Sequence, residues 1–200
     1  MTPAGVIARA VGGMQPKWRA FAAMAMTYFL LVSASSMSFL VLPDIADDFD
    51  VTLRTVGWVV IIESLLVAAC LLPVGSLADR VGRRRILWWG MAIFGVGLVA
   101  TGLAPTFPLL IAGRVVTAIG NVLAQSVATG ILVAAFPPHE RGLAMGGQTT
   151  AVGAASASGP LVGGLLLGPL SWEWLFLLLA IPVFATLVII PAVLEDDSVG

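Results

Sequence analysis

Charge is scarce in this sequence. Its 200 residues include 10 Lys and Arg and 11 Asp and Glu, with a single histidine, cysteine and tyrosine. A soluble domain devotes roughly a quarter of its residues to charge, so a water-facing surface cannot be covered from this inventory. A formal net charge of -1, with no basic stripe, excludes an electrostatic footprint for nucleic acid. The lone Cys70 lies in an apolar run and builds neither a disulfide framework nor a thiolate metal site. His139 stands among Pro137, Pro138, Glu140 and Arg141 with no nucleophile and orienting group around it, so no catalytic centre, metal or cofactor is expected.

What is abundant is apolar surface. Hydrophobic residues make up 59% of the chain and the mean hydropathy is +1.03. Uninterrupted stretches of about 20 such residues predict membrane helices. They fall near 19–41, 56–77, 86–104, 107–135, 143–168 and 173–194, giving an all-α integral membrane bundle of six helices. Residues 1–18 are then an N-terminal tail and 195–200 a short end. The small residues Ser33, Ala34 and Ser35 imitate a leader cleavage site, but the run continues apolar through Leu42 and favours a retained first helix.

Lys and Arg cluster on one side of this map. Arg9, Lys17 and Arg19 precede the first span, Arg80 and Arg83 to Arg85 join the second to the third, and Arg141 joins the fourth to the fifth. The orientation rule places these segments, and both termini, in the cytoplasm of a multi-pass plasma-membrane protein. On the other side Arg54 stands against Asp44, Asp47, Asp48 and Asp50. All six tryptophans fall at predicted span ends, where amphipathic rings favour the headgroup layer.

Between the second and third spans lies Gly75-Ser76-Leu77-Ala78-Asp79-Arg80-Val81-Gly82-Arg83-Arg84-Arg85. Gly75 permits close helix approach, Gly82 permits a tight reversal, and Asp79 can accept charge-assisted hydrogen bonds from arginines or a helix N-terminus. Arginines alone could serve only topology and anionic headgroups. The whole pattern resembles the signature loop of the major facilitator superfamily, in which such a cluster latches one conformation.

Two further segments extend the resemblance. In the fifth span Gly146, Ala155, Gly159, Pro160, Gly163 and Gly164 have a spacing similar to the family's antiporter motif, with Ala155 standing where glycine is usual. Gly147, Ala151, Ala155, Gly159 and Gly163 also recur every four residues, a groove that admits another helix whether or not transport is involved. The fourth span opens with Leu110 to Gly120, similar to the family's buried-arginine motif, with Thr117 and Ala118 departing from it. On a helical wheel Arg114, Thr117, Asn121 and Gln125 form a polar stripe suited to a cavity or to an interhelical hydrogen-bond seam. Ser36 is a further cavity-lining candidate in the first span.

An ionised group at mid-membrane costs about 2.5–3.5 kcal/mol on insertion scales, which makes Glu63 and Arg114 functional candidates. Each lies about seven residues from the same end of its span, so a rise of about 1.5 Å per residue puts both at one depth, where they could pair. A pair can cycle a proton or simply neutralise itself.

The resemblance covers the chain from Leu42-Pro43 to Pro182 and is nearest to the drug/proton antiporter branch with fourteen spans. That branch usually has an acid in its first span, where Ala34 stands here, and an arginine where Glu173 stands. The resemblance implies the N-terminal six-span half of a secondary transporter that exports small amphiphilic molecules or drugs, with a proton as candidate co-substrate. A homodimer or a separate second half would complete its cavity. The other reading is a non-transporting membrane scaffold or a remnant of a longer transporter.

Overall fold

In a computed structural model the protein is described over residues 15–167 and 171–193. Residues 1–14, the end of the predicted fifth span at 168, and residue 194 with the 195–200 end lie outside the described residues. The helices are α1 (Pro16–Leu40), α2 (Leu42–Asp48), α3 (Leu53–Val56), α4 (Trp58–Val81), α5 (Arg83–Gly102), α6 (Phe107–Ala135), α7 (Arg141–Leu167) and α8 (Trp172–Val193), with a 3-10 turn at Pro138–Glu140 before α7. Among the described residues there is no strand.

Prolines set several boundaries, since a missing amide costs nothing in the first turn of a helix. Pro16, Pro43 and Pro108 each occupy such a position, in α1, α2 and α6. The segments Pro16–Leu40, Leu53–Val81, Arg83–Gly102, Phe107–Ala135 and Pro138–Leu167 are long and apolar enough to cross a membrane. The sixth long helix, α8, runs for 22 residues, with its apolar stretch at Trp172–Val188.

Two expected loops are largely helical. α4 runs on through Asp79 and Arg80 to Val81, and α5 begins at Arg83, so the reversal is confined to Gly82. Its φ of 104° is one that side chains rarely tolerate. The Asp-rich turn likewise folds into α2 and α3, joined through Asp50 at φ 48°.

In lipid, apolar side chains gain little by meeting one another, so helices associate where their backbones can approach closely. α6 is the centre of the bundle and packs on α5, α4 and α1. Its seam with α5 is the tightest, because glycines alternate across it. A methyl group at Gly90 would lie 2.6 Å from the Ala124 amide nitrogen, and one at Gly113 would lie 2.8 Å from that of Thr101. At Gly97 and Gly120 it would run into the backbone of Thr117 and Phe94.

α1 packs mainly on α7, and the small-residue groove of α7 receives it. Gly147 meets the Phe21 ring, Gly159 meets Ser33 and Ser36, and Gly163 meets Leu40 and Met37. α8 lies on α5, where Pro191 has no amide to offer the carbonyl of Leu187. Trp88 of α5 supplies the donor instead, its indole Nε1 reaching that oxygen at 3.2 Å.

Both ends of the bundle are pinned. At the Arg-rich end Lys17 pairs with Glu140 at 2.6 Å, beside the contacting rings of Trp18, Phe21 and Phe136. At the Asp-rich end the Trp172 indole donates to Asp48, and Phe49 contacts both Phe107 and Trp172.

Candidate functional site

Most hydroxyls inside the bundle are spent on their own helices. Thr27, Ser38, Thr101 and Thr117 each donate to the carbonyl four residues earlier, which conceals the polar atom without a partner helix. Glu63 has no such option, because a carboxylate only accepts. The sequence surrounds it with donors from two other helices.

The Glu63 carboxylate of α4 accepts from Arg114 Nη2 of α6 at 2.6 Å through Oε2. Through Oε1 it accepts from Asn121 Nδ2 of α6 at 2.7 Å and from Ser35 Oγ of α1 at 2.6 Å. Arg114 is 1% exposed and Glu63 7%. At that burial the attraction is weakly screened and the desolvation cost is high, so the three donors are what make an ionised carboxylate tenable. The Arg114 guanidinium also lies 5.6 Å from the centroid of the Phe176 ring of α8, a cation–π contact on its other side. Arg114 Nε and Nη1 and Asn121 Oδ1 are buried without a hydrogen-bond partner among the described residues.

The cluster therefore ties α1, α4, α6 and α8 together, and α4 depends on it most. Among the described residues of α4 only Val59, Glu63 and Ala78 are buried. Both proposed members of an ion pair are in contact, as their equal depth suggested. Nothing in the sequence singled out Ser35 as a partner of Glu63 or Phe176 as a partner of Arg114. The signal for Ser35 was the unmet need of Glu63 for donors from a facing helix.

The remaining stripe divides. Gln125 lines a groove of about 600 Å³ with Tyr28, Ser76, Asp79, Ser126 and Thr129, between α1, α4 and α6 toward the Arg-rich end. Tyr28 joins Thr129 across it at 2.6 Å, and Gln148 of α7 donates to Thr129 at 3.2 Å. Thr117 faces the α5 seam against Gly97, and Ser36 faces α7 against Gly159. Neither lines this groove.

In the loop motif Asp79 pairs with Arg83 at 2.8 Å, and Arg83 also donates to the Gly130 carbonyl of α6 at 3.2 Å. Arg84 donates to the Pro191 carbonyl of α8 at 2.9 Å, while Arg80 is exposed. Gly75 has no neighbour where a side chain would go and forms groove wall rather than a helix contact. In the antiporter-like set Ala155, Gly159 and Gly163 are buried, whereas Gly146, Pro160 and Gly164 are exposed on the outer face of α7.

Comparison with known proteins follows the same lines. The family model described as Major Facilitator Superfamily matches residues 24–199. The riboflavin transporter RibZ of Clostridioides difficile is 31% identical over 82% of this chain and 36% of its own length. The multidrug efflux pump LfrA of Mycolicibacterium smegmatis is 35% identical over 90% of this chain and 36% of its own. The chain thus spans about a third of the length of these relatives. A bacterial homologue of the human lysosomal transporter Spinster, solved inward-facing and unoccupied, superposes with a TM-score of 0.80 at 21% identity, over 94% of this chain and 45% of that one. The likeness at that identity is one of fold.

Proposed function

The chain belongs to the major facilitator superfamily, a family of transporters rather than enzymes, and from that premise we propose that it forms the six-helix half of a proton-coupled efflux transporter in which Glu63 carries the proton. The observation that carries the reading is the Glu63 carboxylate, which gathers Arg114, Asn121 and Ser35 from two other helices onto an α4 that has few other anchors. Adding a proton to Glu63 removes its charge from Arg114 and turns one oxygen from acceptor to donor. The hold on α4 weakens, because the guanidinium then keeps a neutral carbonyl acceptor and the Phe176 ring in place of a charged partner. Loss of the proton restores the tie. A proton gradient can thus drive α4 between two positions against α1 and α6, which is what alternating access requires.

The proposed orientation puts the Arg-rich end and both termini in the cytoplasm, on the distribution of Lys and Arg. The 600 Å³ groove then opens inward, and its mixture of Tyr28, Gln125, Ser126 and Thr129 with Leu71 and Leu72 suits uncharged or weakly basic amphiphiles. Relatives named for tetracenomycin C export and lincomycin resistance support this substrate class. A second bundle, from a further copy of the chain or from a separate half, would close the groove against the outward faces of α4 and α7. Only 17% of the apolar window of each is buried within this bundle.

The test is flux of a fluorescent amphiphilic cation from proteoliposomes under an imposed pH gradient. Gradient-driven flux abolished by Glu63→Gln is expected. Flux unchanged in that variant would remove Glu63 as the proton carrier, and no flux by the wild type, either alone or reconstituted together with a separate half, would favour a non-transporting scaffold or a remnant of a longer transporter.

A further inference from the structure

Ser35 stands between two acceptors with one hydrogen to give. Its Oγ lies 2.6 Å from Glu63 Oε1 and 3.2 Å from the Leu31 carbonyl one turn back on α1. Both are within bonding reach, and a hydroxyl that gives its hydrogen to one still has lone pairs to accept with. Resting on the reading of Glu63 as the proton carrier, we propose that Ser35 receives the hydrogen of protonated Glu63 and turns its own onto Leu31. Ser35 is then a positioning residue, which selects the carboxyl oxygen that is protonated and keeps α1 joined to α4 in both states.

The groups around the carboxylate decide where a proton can sit. Oε2 faces Arg114 Nη2 at 2.6 Å, and a guanidinium has no lone pair with which to accept. A proton there would set two hydrogens against each other, which leaves Oε1. Oε1 faces Asn121 Nδ2 at 2.7 Å, again a donor, and Ser35 Oγ, which can accept. Asn121 could take the hydrogen only by turning its amide end for end. Its Oδ1 is buried without a hydrogen-bond partner, so the turn would bury Nδ2 in the same condition. Ser35 needs only a rotation of its hydroxyl, into the bond that Ser38 of the same helix makes to the Ala34 carbonyl at 2.8 Å.

The step is balanced. A proton from water forms one O–H bond at Oε1, the Ser35 O–H bond rotates without breaking, and loss of the proton reverses both. Among the described residues the charged group facing Glu63 is Arg114 of α6, while α1 contributes the neutral Ser35. The bond between α1 and α4 is therefore kept in either state, with donor and acceptor exchanged. The charge-assisted bond to α6 becomes a bond to a neutral carbonyl. With only Val59, Glu63 and Ala78 buried among its described residues, α4 pivots about Ser35 as its grip on α6 loosens.

The test is infrared difference spectroscopy between alkaline and acidic buffer, on the chain reconstituted in lipid, read at the carbonyl stretch of protonated carboxyl groups. The band that disappears in Glu63→Gln belongs to Glu63. In Ser35→Ala this band should move to higher wavenumber, because the carboxyl hydrogen has lost its acceptor, and Ser35→Thr, which keeps a hydroxyl, should return it toward the wild-type position. Ser38→Ala removes a hydroxyl of the same helix outside the cluster and should leave the band unmoved. A Glu63 band at one wavenumber in Ser35→Ala and wild type would overturn the inference while leaving Glu63 as proton carrier. A shift in Asn121→Ala but not in Ser35→Ala would overturn it in favour of Asn121. Absence of any Glu63 band from the wild type would overturn the proton reading itself and this inference with it. Should Ser35→Ala fail to fold, Ser35→Cys carries the same test: a thiol accepts weakly, so the band should move the same way by a smaller step, and an unmoved band counts against Ser35.

Discussion

Removing the Glu63 side chain should cost more than removing both charges. In Glu63→Ala the Arg114 guanidinium stays buried at 1% exposure with its carboxylate gone, and the donors of Asn121 and Ser35 lose their acceptor. Breaking a buried pair in this way costs about 3–5 kcal/mol, most of it the uncompensated charge. Glu63→Gln should cost less, about 1–3 kcal/mol for an imperfect hydrogen-bond set. Its amide oxygen can still accept from Arg114, and Asn121 can turn its unpartnered Oδ1 toward the new donor. Pairing Glu63→Ala with Arg114→Met removes the stranded charge, leaving the shape partly filled, and should recover at least half of the loss. Equilibrium unfolding of the purified proteins in mixed detergent micelles, titrated with sodium dodecyl sulfate, measures all four. The reasoning is refuted if Glu63→Ala lies within 1 kcal/mol of wild type, taken against that scale, or if the double variant is no more stable than the single.

Glycine substitutions should separate by face. Gly120→Ala sets a methyl group into the Phe94 backbone and should cost about 1–3 kcal/mol or more, whereas Gly146→Ala and Gly164→Ala meet open space and should unfold like wild type in the same titration. Gly82→Ala forces a side chain into φ 104° and should cost about 1–3 kcal/mol although nothing stands near it, so an unchanged midpoint would refute the strain. Trp88→Phe strands the Leu187 carbonyl that Pro191 cannot satisfy. It should cost about 1–3 kcal/mol and raise hydrogen exchange at the α8 end, whereas Trp89→Phe should do neither.

Long-range features of this fold were legible because lipid writes them coarsely. Six apolar runs predicted six long helices, and an equal depth in parallel spans predicted that Glu63 and Arg114 could meet. Rotation about each helix axis was less legible. The polar stripe of α6 spans enough of its circumference that Thr117 turns to Gly97 of α5 while Asn121 turns to Glu63, and the spacing of these residues does not separate the two faces. The reversal at Gly82 was anticipated, but not the continuation of α4 through Asp79 to Val81, because charged residues interrupt hydropathy without interrupting a helix. Ser35 was hidden among several serines of one helix, and only the position of a carboxylate on another helix selects it.

The pairing of Glu63 with Arg114 in a lipid bilayer is the claim on which the rest depends. Solid-state magnetic resonance on protein labelled with ¹³C in glutamate and ¹⁵N in arginine, reconstituted in lipid, measures it directly through dipolar dephasing. A strongly coupled carboxyl–guanidinium pair that survives Asp79→Asn and Glu140→Gln but disappears in Glu63→Gln is the predicted result, matching the 2.6 Å contact. A carboxyl–guanidinium spectrum identical in Glu63→Gln and the wild type would contradict it.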